Sequence, residues 1–299
     1  MPPAKPSDFL FATAPYLFVL LWATGFIGVK YGIPYAEPLT FLLLRVVFTA
    51  AILVVVVLVS RAPWPQTPAA ALHSAVSGML IHGVYLGGVF WALARGMPVG
   101  IAALIVGVQP LLTALAARLL LKDAILPMQW GGVGIGFVGL SMVLAPKLGM
   151  SGAAARLDPL SVLFCVTALC AITAGTIYQK VFAADAGLRT GGLFQYIGAG
   201  LLALLGVLAF EEGRVEWTAE FIFALVWLVV VLSLGAISLL MILIRYGAIA
   251  RVAALFYLVP PVTALFAYLI FGETLTAVQI AGIAVTAFSV WLASGRPPR

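Results

Sequence analysis

Charged side chains are scarce in this sequence. Only 9% of its 299 residues are Asp, Glu, Lys or Arg, whereas 64% are hydrophobic and the mean hydropathy is +1.18. A soluble domain carries about 25% charged residues, so this chain cannot cover a surface that faces water. The composition predicts an integral membrane protein. The formal net charge of +6 is small for this length and does not indicate a nucleic-acid partner.

Residues that build metal and catalytic centres are also few. The chain has two histidines and two cysteines, Cys165 and Cys170. Five residues apart on a helix, these cysteines lie about 140° from each other, which suits neither a zinc site nor a disulfide. The glycines of GVGIGFVG match a dinucleotide pattern, but they lie in an apolar segment with no strand before them. We therefore expect no enzyme, no cofactor and no metal.

Long apolar segments are what the sequence contains instead. Each has about the length of 17 to 25 residues that a helix needs to cross a bilayer. Ten such segments cover approximately 11–32, 38–60, 71–94, 99–121, 128–145, 161–182, 192–210, 219–244, 250–271 and 277–293. The strands of a membrane barrel alternate apolar and polar residues, and this chain lacks that alternation. The predicted fold class is an all-α membrane protein with ten transmembrane helices.

The distribution of Lys and Arg predicts the orientation of these helices. If the N-terminus is cytoplasmic, ten Lys and Arg residues fall on the cytoplasmic side and five on the other. This excess predicts that both termini face the cytoplasm. The first apolar segment is longer than the core of about 7 to 15 residues of a cleaved signal, so we expect it to be a retained span.

One apolar phrase occurs twice. PLLTALAARLLL at 110–121 returns 150 residues later as PPVTALFAYLIF at 260–271. When 110–132 is aligned with 260–282, 8 of 23 positions are identical. The same offset places the first predicted span on the sixth and the fifth on the tenth. The chain is therefore predicted to be two tandem copies of a five-helix unit.

The two copies occupy residues 1–150 and 151–299. Because five crossings is an odd number, the second copy must enter the membrane in the opposite direction. Inverted repeats with a substrate site between them are typical of alternating-access carriers. The predicted architecture is therefore ten transmembrane helices in two inverted five-helix repeats.

Several motifs resemble those of a known family. They are WATGFIGVKYG at 22–32, PLTFLLLR at 38–45, LKD at 121–123 and FGE at 271–273. Together with the two five-helix halves they resemble the EamA-type drug/metabolite transporter superfamily, and within it the YddG-like aromatic amino acid exporters. The first-copy LKD departs from the Gly-Glu usual in the family. The resemblance implies a multi-pass carrier of the bacterial cytoplasmic (inner) membrane that exports amino acids or other small metabolites by alternating access.

Polar and aromatic residues near the middle of the spans are the candidates for substrate binding, since polar groups are costly there. His82 and Tyr85 are three residues apart and share one helical face. The predicted chamber between the halves is lined by Trp22, His82, Tyr85, Gln109 and Tyr257. The alternatives are that His82 bonds to a neighbouring helix and that the aromatic side chains only pack.

Pro110 and Pro260 lie at equivalent places in the two copies. Each lacks an N–H and frees the carbonyl of an earlier residue, Val106 or Phe256, which can then receive a substrate ammonium group. The alternative is a kink whose freed carbonyls are satisfied by neighbouring side chains or water.

Arg45 lies about two turns inside the second span. It can pair with Glu37, extend to the outer interface, or meet a substrate carboxylate. The sequence favours a structural role, because Gln195 occupies the equivalent position of the second copy.

Acidic residues are absent from the middle of every predicted span. All ten lie in tails, in loops or at span ends. Ion-driven carriers commonly place carboxylates near the substrate, so we expect a facilitator without ion coupling. The alternatives are a proton-linked drug/metabolite efflux carrier that uses His82, a membrane-embedded enzyme of lipid metabolism, or a channel. The expected partners are a small solute and the bilayer, and the oligomeric state stays open.

Overall fold

The computed structural model describes residues 8–121, 127–149, 157–183, 186–237, 239, 243 and 255–293. These residues are helical almost throughout, and the extended pairing found among them is one antiparallel bridge between Ala36 and Val215. The prediction of an all-α membrane protein is confirmed.

The described helices are α1 Asp8–Gly32, α2 Pro38–Val59, α3 Pro68–Ala94, α4 Val99–Gly107, α5 Gln109–Leu121, α6 Pro127–Gly149, α7 Pro159–Phe182, α8 Leu188–Phe210, α9 Ala219–Ala236, α10 Val259–Phe271 and α11 Ala277–Ala293. Two of them change their winding: α3 is π-helical over Met79–Val84, and α9 is π-helical over Trp227–Ala236. Short 3₁₀ turns lie at Ile33–Tyr35 and Phe256–Leu258.

Six of the described helices, α1 to α3 and α7 to α9, are long and apolar enough to cross a membrane. Their outward side chains are apolar as well: Val59 is 80% exposed and Leu208 is 73% exposed. Leucine and valine side chains are apolar and therefore stable in contact with lipid tails, and a helix satisfies its own backbone groups there. The chain is therefore a multi-pass membrane protein.

One residue, Val108, lies between the end of α4 and the start of α5, so the fourth apolar segment is broken there. Pro110 is the second residue of α5, and Pro260 is the second residue of α10. A proline in the first turn of a helix costs little, since the N–H that it lacks would have no helical partner there. The helix starts, Gln109 and Val259, are 150 residues apart, like the prolines.

The helices of residues 8–149 pack mainly against those of residues 157–293. Helix α2 packs on α8, α3 on α7 and α8, α1 on α9 and α10, and α6 on α11. Helices α2 and α8 are antiparallel, because Thr40 at the start of α2 contacts Glu211 just after α8. At the other end of this pair, Val57 and Leu193 share one buried cluster.

Two glycines bring α3 and α8 into direct backbone contact. A Cβ on Gly78 would clash with the backbone of Gln195, and a Cβ on Gly198 would clash with the backbone of Ala75. Small residues allow such close approach between membrane helices. The contact places the π-helical stretch of α3 beside Gln195.

Candidate functional site

A buried arginine lies at the interface between α2 and α9. The Nε of Arg45 donates a hydrogen bond to the hydroxyl of Ser233 at 3.2 Å. Arg45 is only 7% exposed and Ser233 only 3%. Seven residues inside α2, Arg45 lies roughly 10 Å from the helix start. A charged side chain at this depth is costly, and such residues mark solute paths in membrane proteins.

A second polar contact joins α3 to α8. Nε2 of His82 lies 3.3 Å from Oε1 of Gln195. The imidazole also stacks on the ring of Tyr196, with centroids 4.6 Å apart and planes at 13°. Both partners belong to α8, so this helix fixes the position of the imidazole.

Both contacts lie on π-helical turns. His82 is within Met79–Val84 of α3, and Ser233 is within Trp227–Ala236 of α9. A π-helical turn inserts an extra residue into the helix and is frequent at functional sites. The insertion rotates the following residues about the helix axis, which directs His82 and Ser233 to the neighbouring helices.

Tyr196 connects the two contacts. Its ring stacks on His82, while its hydroxyl lies beside Ser233 and interacts electrostatically with Arg45. The hydroxyl oxygen is fully buried and, apart from this contact with Ser233, makes no hydrogen bond of ordinary geometry within the described part of the chain. Tyr85 is 5% exposed and also interacts electrostatically with Arg45. We call these residues the central cluster: Arg45, His82, Tyr85, Gln195, Tyr196 and Ser233.

Two of the residues predicted for the chamber, His82 and Tyr85, belong to the central cluster. Trp22 lies in a different place, in an aromatic group with Phe18 and Phe256 at centroid distances of 5.1 to 5.2 Å. Gln109 bonds along its own helix, because its Nε2 donates to the hydroxyl of Thr113 at 3.2 Å.

The other predicted residues flank these groups. The side chain of Tyr257 lies outside the described residues, although its backbone belongs to the turn Phe256–Leu258. Pro110 lies in the first turn of α5 and is partly buried. Pro260 is buried against α4, where a Cβ on Gly107 would clash with the proline ring.

Neither of the two contacts expected for a structural Arg45 is found among the described residues. Glu37 does not pair with Arg45, because its carboxylate accepts hydrogen bonds from the backbone amides of Glu212 and Arg214. Arg45 also does not extend to the interface, since it is buried against Ser233. The signal that pointed to this region was the offset of 150, which aligns Arg45 with Gln195 of the second polar contact.

The start of α2 is held by carboxylates. One oxygen of Glu211 accepts from the amide of Leu39 at 2.8 Å. The other oxygen accepts from the amide and hydroxyl of Thr40 at 2.7 and 2.8 Å. Glu37 binds the loop after α8 in return, at 2.8 Å from the amide of Arg214. We call this region the carboxylate end.

Two further acidic residues bind at the same end. Asp158, which precedes α7, pairs with Arg95 after α3 at 2.6 Å. The hydrogen bond from Arg95 holds the pKa of the Asp158 carboxyl at about 2, below its ordinary value of 3.8. Glu273, which follows α10, accepts from the amide of Val99 at 3.1 Å.

The opposite end of α2 and α8 contains a cavity of about 590 Å³. Its walls come from the loop after α2, the start of α3, the end of α7 and the start of α8, and include Trp64, His73, Phe182 and Thr190. Nδ1 of His73 lies 2.7 Å from the hydroxyl of Tyr178, and its ring stacks on Phe182. We call this region the cavity end.

Among the described residues, no three His, Cys, Asp or Glu side chains are grouped so that they could hold a metal ion. The central cluster consists of one guanidinium, one imidazole, one amide and several hydroxyl groups. These groups can bind a small polar solute by charge and hydrogen bonds.

Known proteins of similar sequence are transporters. The sequence profile of the EamA-like transporter family matches residues 11–145 and 159–295. The uncharacterized transporter YvbV of Bacillus subtilis is 24% identical, covering 92% of this chain and 88% of its own. The uncharacterized inner membrane transporter YedA of Escherichia coli K12 is 25% identical, covering 93% and 89%.

Two further comparisons cover most of the chain. A protein of Salmonella typhimurium named a probable amino-acid metabolite efflux pump is 25% identical, covering 89% of this chain and 88% of its own. A crystal structure with a TM-score of 0.68 and 20% identity covers 94% of each chain and shares the fold.

The relatives and the membrane helices place the chain in the bacterial inner membrane as a multi-pass protein. Its partners are the bilayer and a small-molecule substrate. Because the family profile accounts for most of its length, the chain belongs to the EamA-like transporter family.

Proposed function

We propose that this chain is a secondary transporter that exports neutral and aromatic amino acids and related small metabolites by alternating access. Its architecture is ten transmembrane helices in two inverted five-helix repeats, residues 1–150 and 151–299, with both termini in the cytoplasm. Transport is facilitated diffusion or exchange and is not coupled to an ion.

The observation that carries this proposal is the reciprocal pair of contacts in the central cluster. Arg45 on α2 contacts Ser233 on α9, and Gln195 on α8 contacts His82 on α3. Positions 45 and 195 differ by 150, so α2 and α8 are equivalent helices of the two halves. Each contact therefore joins the second helix of one half to the π-helical stretch in the third helix of the other. A polar site shared by two halves is the arrangement that alternating access requires.

Other features support the inverted repeat. The family profile matches the chain twice, once in each half. Helices α5 at Gln109–Leu121 and α10 at Val259–Phe271 begin and end 150 residues apart. Helices α2 and α8 are equivalent under the same offset and run in opposite directions, which an inverted second copy explains.

The substrate class is supported by three features. The central cluster offers a cation and hydroxyl groups, and the aromatic group of Phe18, Trp22 and Phe256 offers a surface on which an aromatic side chain can stack. The Salmonella relative carries the name of an amino-acid metabolite efflux pump. The carboxylates of Glu211, Glu273 and Asp158 bind backbone amides or an arginine at helix ends, which supports transport without ion coupling.

Counterflow in proteoliposomes tests the proposal. Vesicles loaded with unlabelled L-phenylalanine or L-leucine should accumulate the labelled amino acid transiently, as a carrier does and a channel does not. A membrane-embedded enzyme of lipid metabolism would give no counterflow. An imposed proton gradient should not drive accumulation, and if it does, the chain is the proton-linked efflux carrier that His82 would serve.

Two matched pairs of variants locate the path. Tyr85→Ala and Trp22→Ala should reduce counterflow at least ~10-fold, because both rings face polar or aromatic groups of the proposed site. Tyr268→Ala and Trp130→Ala are the controls, since both side chains are exposed on the outer surface of the bundle. Equal activity of all four variants would remove the central cluster from the transport path.

A further inference from the structure

We propose that Arg45 and Tyr196 form a subsite for the carboxylate of the transported solute. The inference rests on the proposed function and names its substrate class: compounds that carry a carboxylate, and not amines or amides of the same shape.

The charge of Arg45 has no anionic partner among the described residues. A guanidinium has five N–H donors, and Arg45 uses Nε for its one side-chain hydrogen bond within the described residues, to the neutral hydroxyl of Ser233. The groups that interact with it electrostatically are the hydroxyls of Tyr85 and Tyr196 and the imidazole of His82. None of these is an anion near neutral pH.

Four of the described carboxylates bind at the helix ends. Glu37 and Glu211 bind backbone amides at the start of α2 and in the loop after α8. Asp158 pairs with Arg95, and Glu273 binds the amide of Val99. The central cluster therefore holds a buried cation and lacks a counter-ion among the described residues, which is unfavourable until an anion arrives.

Tyr196 supplies an independent observation. Its side chain is 3% exposed, and its buried hydroxyl lies beside Ser233 without a hydrogen bond of ordinary geometry among the described residues. Buried hydroxyl groups are nearly always well bonded, so the imperfect contact with Ser233 leaves this hydroxyl able to bond to a further group beside Arg45. A carboxylate bound by the terminal nitrogens of Arg45 would bring an acceptor oxygen to this hydroxyl.

The equivalent contact in the second half gives the contrast. Gln195 occupies the position of Arg45, and its Oε1 lies 3.3 Å from His82. That contact joins two neutral groups and needs no counter-ion. The positive charge is present in one half only, which a purely structural contact between helices does not require.

The geometry also predicts selectivity. A guanidinium binds a carboxylate through two parallel N–H···O bonds, and these charge-assisted bonds are stronger than bonds to a neutral amide. A cationic amine without a carboxylate would be repelled by Arg45. The subsite therefore favours amino acids and other carboxylic acids over cationic drugs.

The test uses the full-length protein in vesicles of phosphatidylcholine, which carry no anionic lipid. Counterflow is measured with L-phenylalanine, L-phenylalaninamide and phenethylamine, which share the aromatic group and the amine but differ in the carboxylate. We expect L-phenylalanine to be preferred by at least ~10-fold over both analogues. Arg45→Gln should abolish the preference, and Arg45→Lys should keep it at lower affinity. Arg189→Gln is the control, because Arg189 is exposed.

Tyr196→Phe keeps the stacked ring and removes only the hydroxyl. It should reduce counterflow of L-phenylalanine roughly 3- to 10-fold and leave counterflow of L-phenylalaninamide unchanged. This variant and Arg45→Lys keep the test decisive if Arg45→Gln does not fold.

A binding assay separates this inference from the proposed function. Phenylacetate should raise the unfolding midpoint of the wild type. The rise should be smaller for Arg45→Lys and for Tyr196→Phe. Suppose that amino acids are carried, that the three compounds give equal counterflow, and that the variants keep the selectivity of the wild type. The carboxylate subsite is then refuted, and the proposal of an amino acid exporter stands. If no amino acid is carried but phenylacetate stabilises only the wild type, the subsite stands and amino acid export is refuted. Failure of both assays overturns both.

Discussion

The antiparallel helices α2 and α8 are held together differently at their two ends. Two threonines that are equivalent under the offset of 150, Thr40 and Thr190, make different hydrogen bonds there. At the carboxylate end, Thr40 gives its amide and hydroxyl to Glu211 at 2.7 and 2.8 Å. At the cavity end, Thr190 occupies the place of Thr40, and its hydroxyl donates to the carbonyl of Pro63 at 3.0 Å. One end is held by charge-assisted bonds and the other by a neutral bond.

The difference follows from two positions. Glu211 corresponds to Arg61 under the offset of 150, and Glu37 corresponds to Gly187. Arg61 and Gly187 are exposed, and Gly187 lines the cavity. The cavity end therefore lacks both carboxylates that close the carboxylate end. In the proposed topology, the carboxylate end faces the outside and the cavity end faces the cytoplasm.

The largest expected effect on stability is at Glu211. Glu211→Ala removes three charge-assisted hydrogen bonds to Leu39 and Thr40. Water replaces part of them, so we expect a loss of about 2 to 4 kcal/mol in the free energy of unfolding. Thermal unfolding of the purified protein measures this loss. The control is Glu216→Ala, an exposed carboxylate in the same loop. Equal midpoints for the two variants would show that Glu211 does not close this end.

Replacing the two equivalent threonines by valine compares the two ends of α2 and α8 directly. Thr40→Val removes a hydroxyl bonded to a carboxylate and should cost about 1.5 to 3 kcal/mol. Thr190→Val removes a hydroxyl bonded to a carbonyl and should cost about 0.5 to 1.5 kcal/mol. Both threonines are buried, with 6% and 1% exposure, so solvent does not explain a difference. A larger loss for Thr190→Val would reverse the assignment of the stronger end.

The smallest expected effect is at Asp158. Its pKa of about 2 in the folded protein lies below the ordinary 3.8, because Arg95 donates a hydrogen bond to it. A lowered carboxyl pKa stabilises the fold above about pH 4, and this contribution is lost as the pH falls toward 2. The unfolding midpoints of wild type and Asp158→Asn should therefore differ slightly at pH 7 and converge in acid. A difference that grows in acid would contradict this sign.

The sequence predicted much of the helical framework. The predicted segments 38–60 and 161–182 correspond to α2 Pro38–Val59 and α7 Pro159–Phe182. These boundaries follow from apolar length and from the prolines that begin both helices. Helix α3 begins at Pro68, three residues before the predicted start, because Thr67 caps it through the amide of Ala70.

The partners of the central cluster were not predictable in the same way. Hydropathy gives the depth of Arg45 but not the helix that it faces. The π-helical stretches of α3 and α9 shift the direction of His82 and Ser233, and no periodic pattern signals that shift. Gly78 and Gly198 decide how closely α3 approaches α8, and such a contact needs the packed structure to be recognised.

The hydrogen bonds of Glu37 and Glu211 were missed for a related reason. Both are loop or helix-end carboxylates, and their partners are backbone amides that lie more than 170 positions away along the chain. A sequence shows charges but not the free amides of a distant helix start. The offset of 150 was the available signal, since it shows that Arg61 and Gly187 differ in charge from their counterparts.

Thiol labelling in intact cells and inside-out vesicles tests alternation most directly, in a background with Cys170→Ser. Leu39→Cys reports on the carboxylate end, because Leu39 packs against Gly87 and Gly206, and Ala70→Cys reports on the cavity. An impermeant reagent should reach Ala70→Cys quickly from the cytoplasmic side and Leu39→Cys slowly from outside. Adding Glu211→Ala should speed labelling of Leu39→Cys and slow that of Ala70→Cys. Labelling that rises at both ends, or changes at neither, would contradict a carrier whose two ends open in turn.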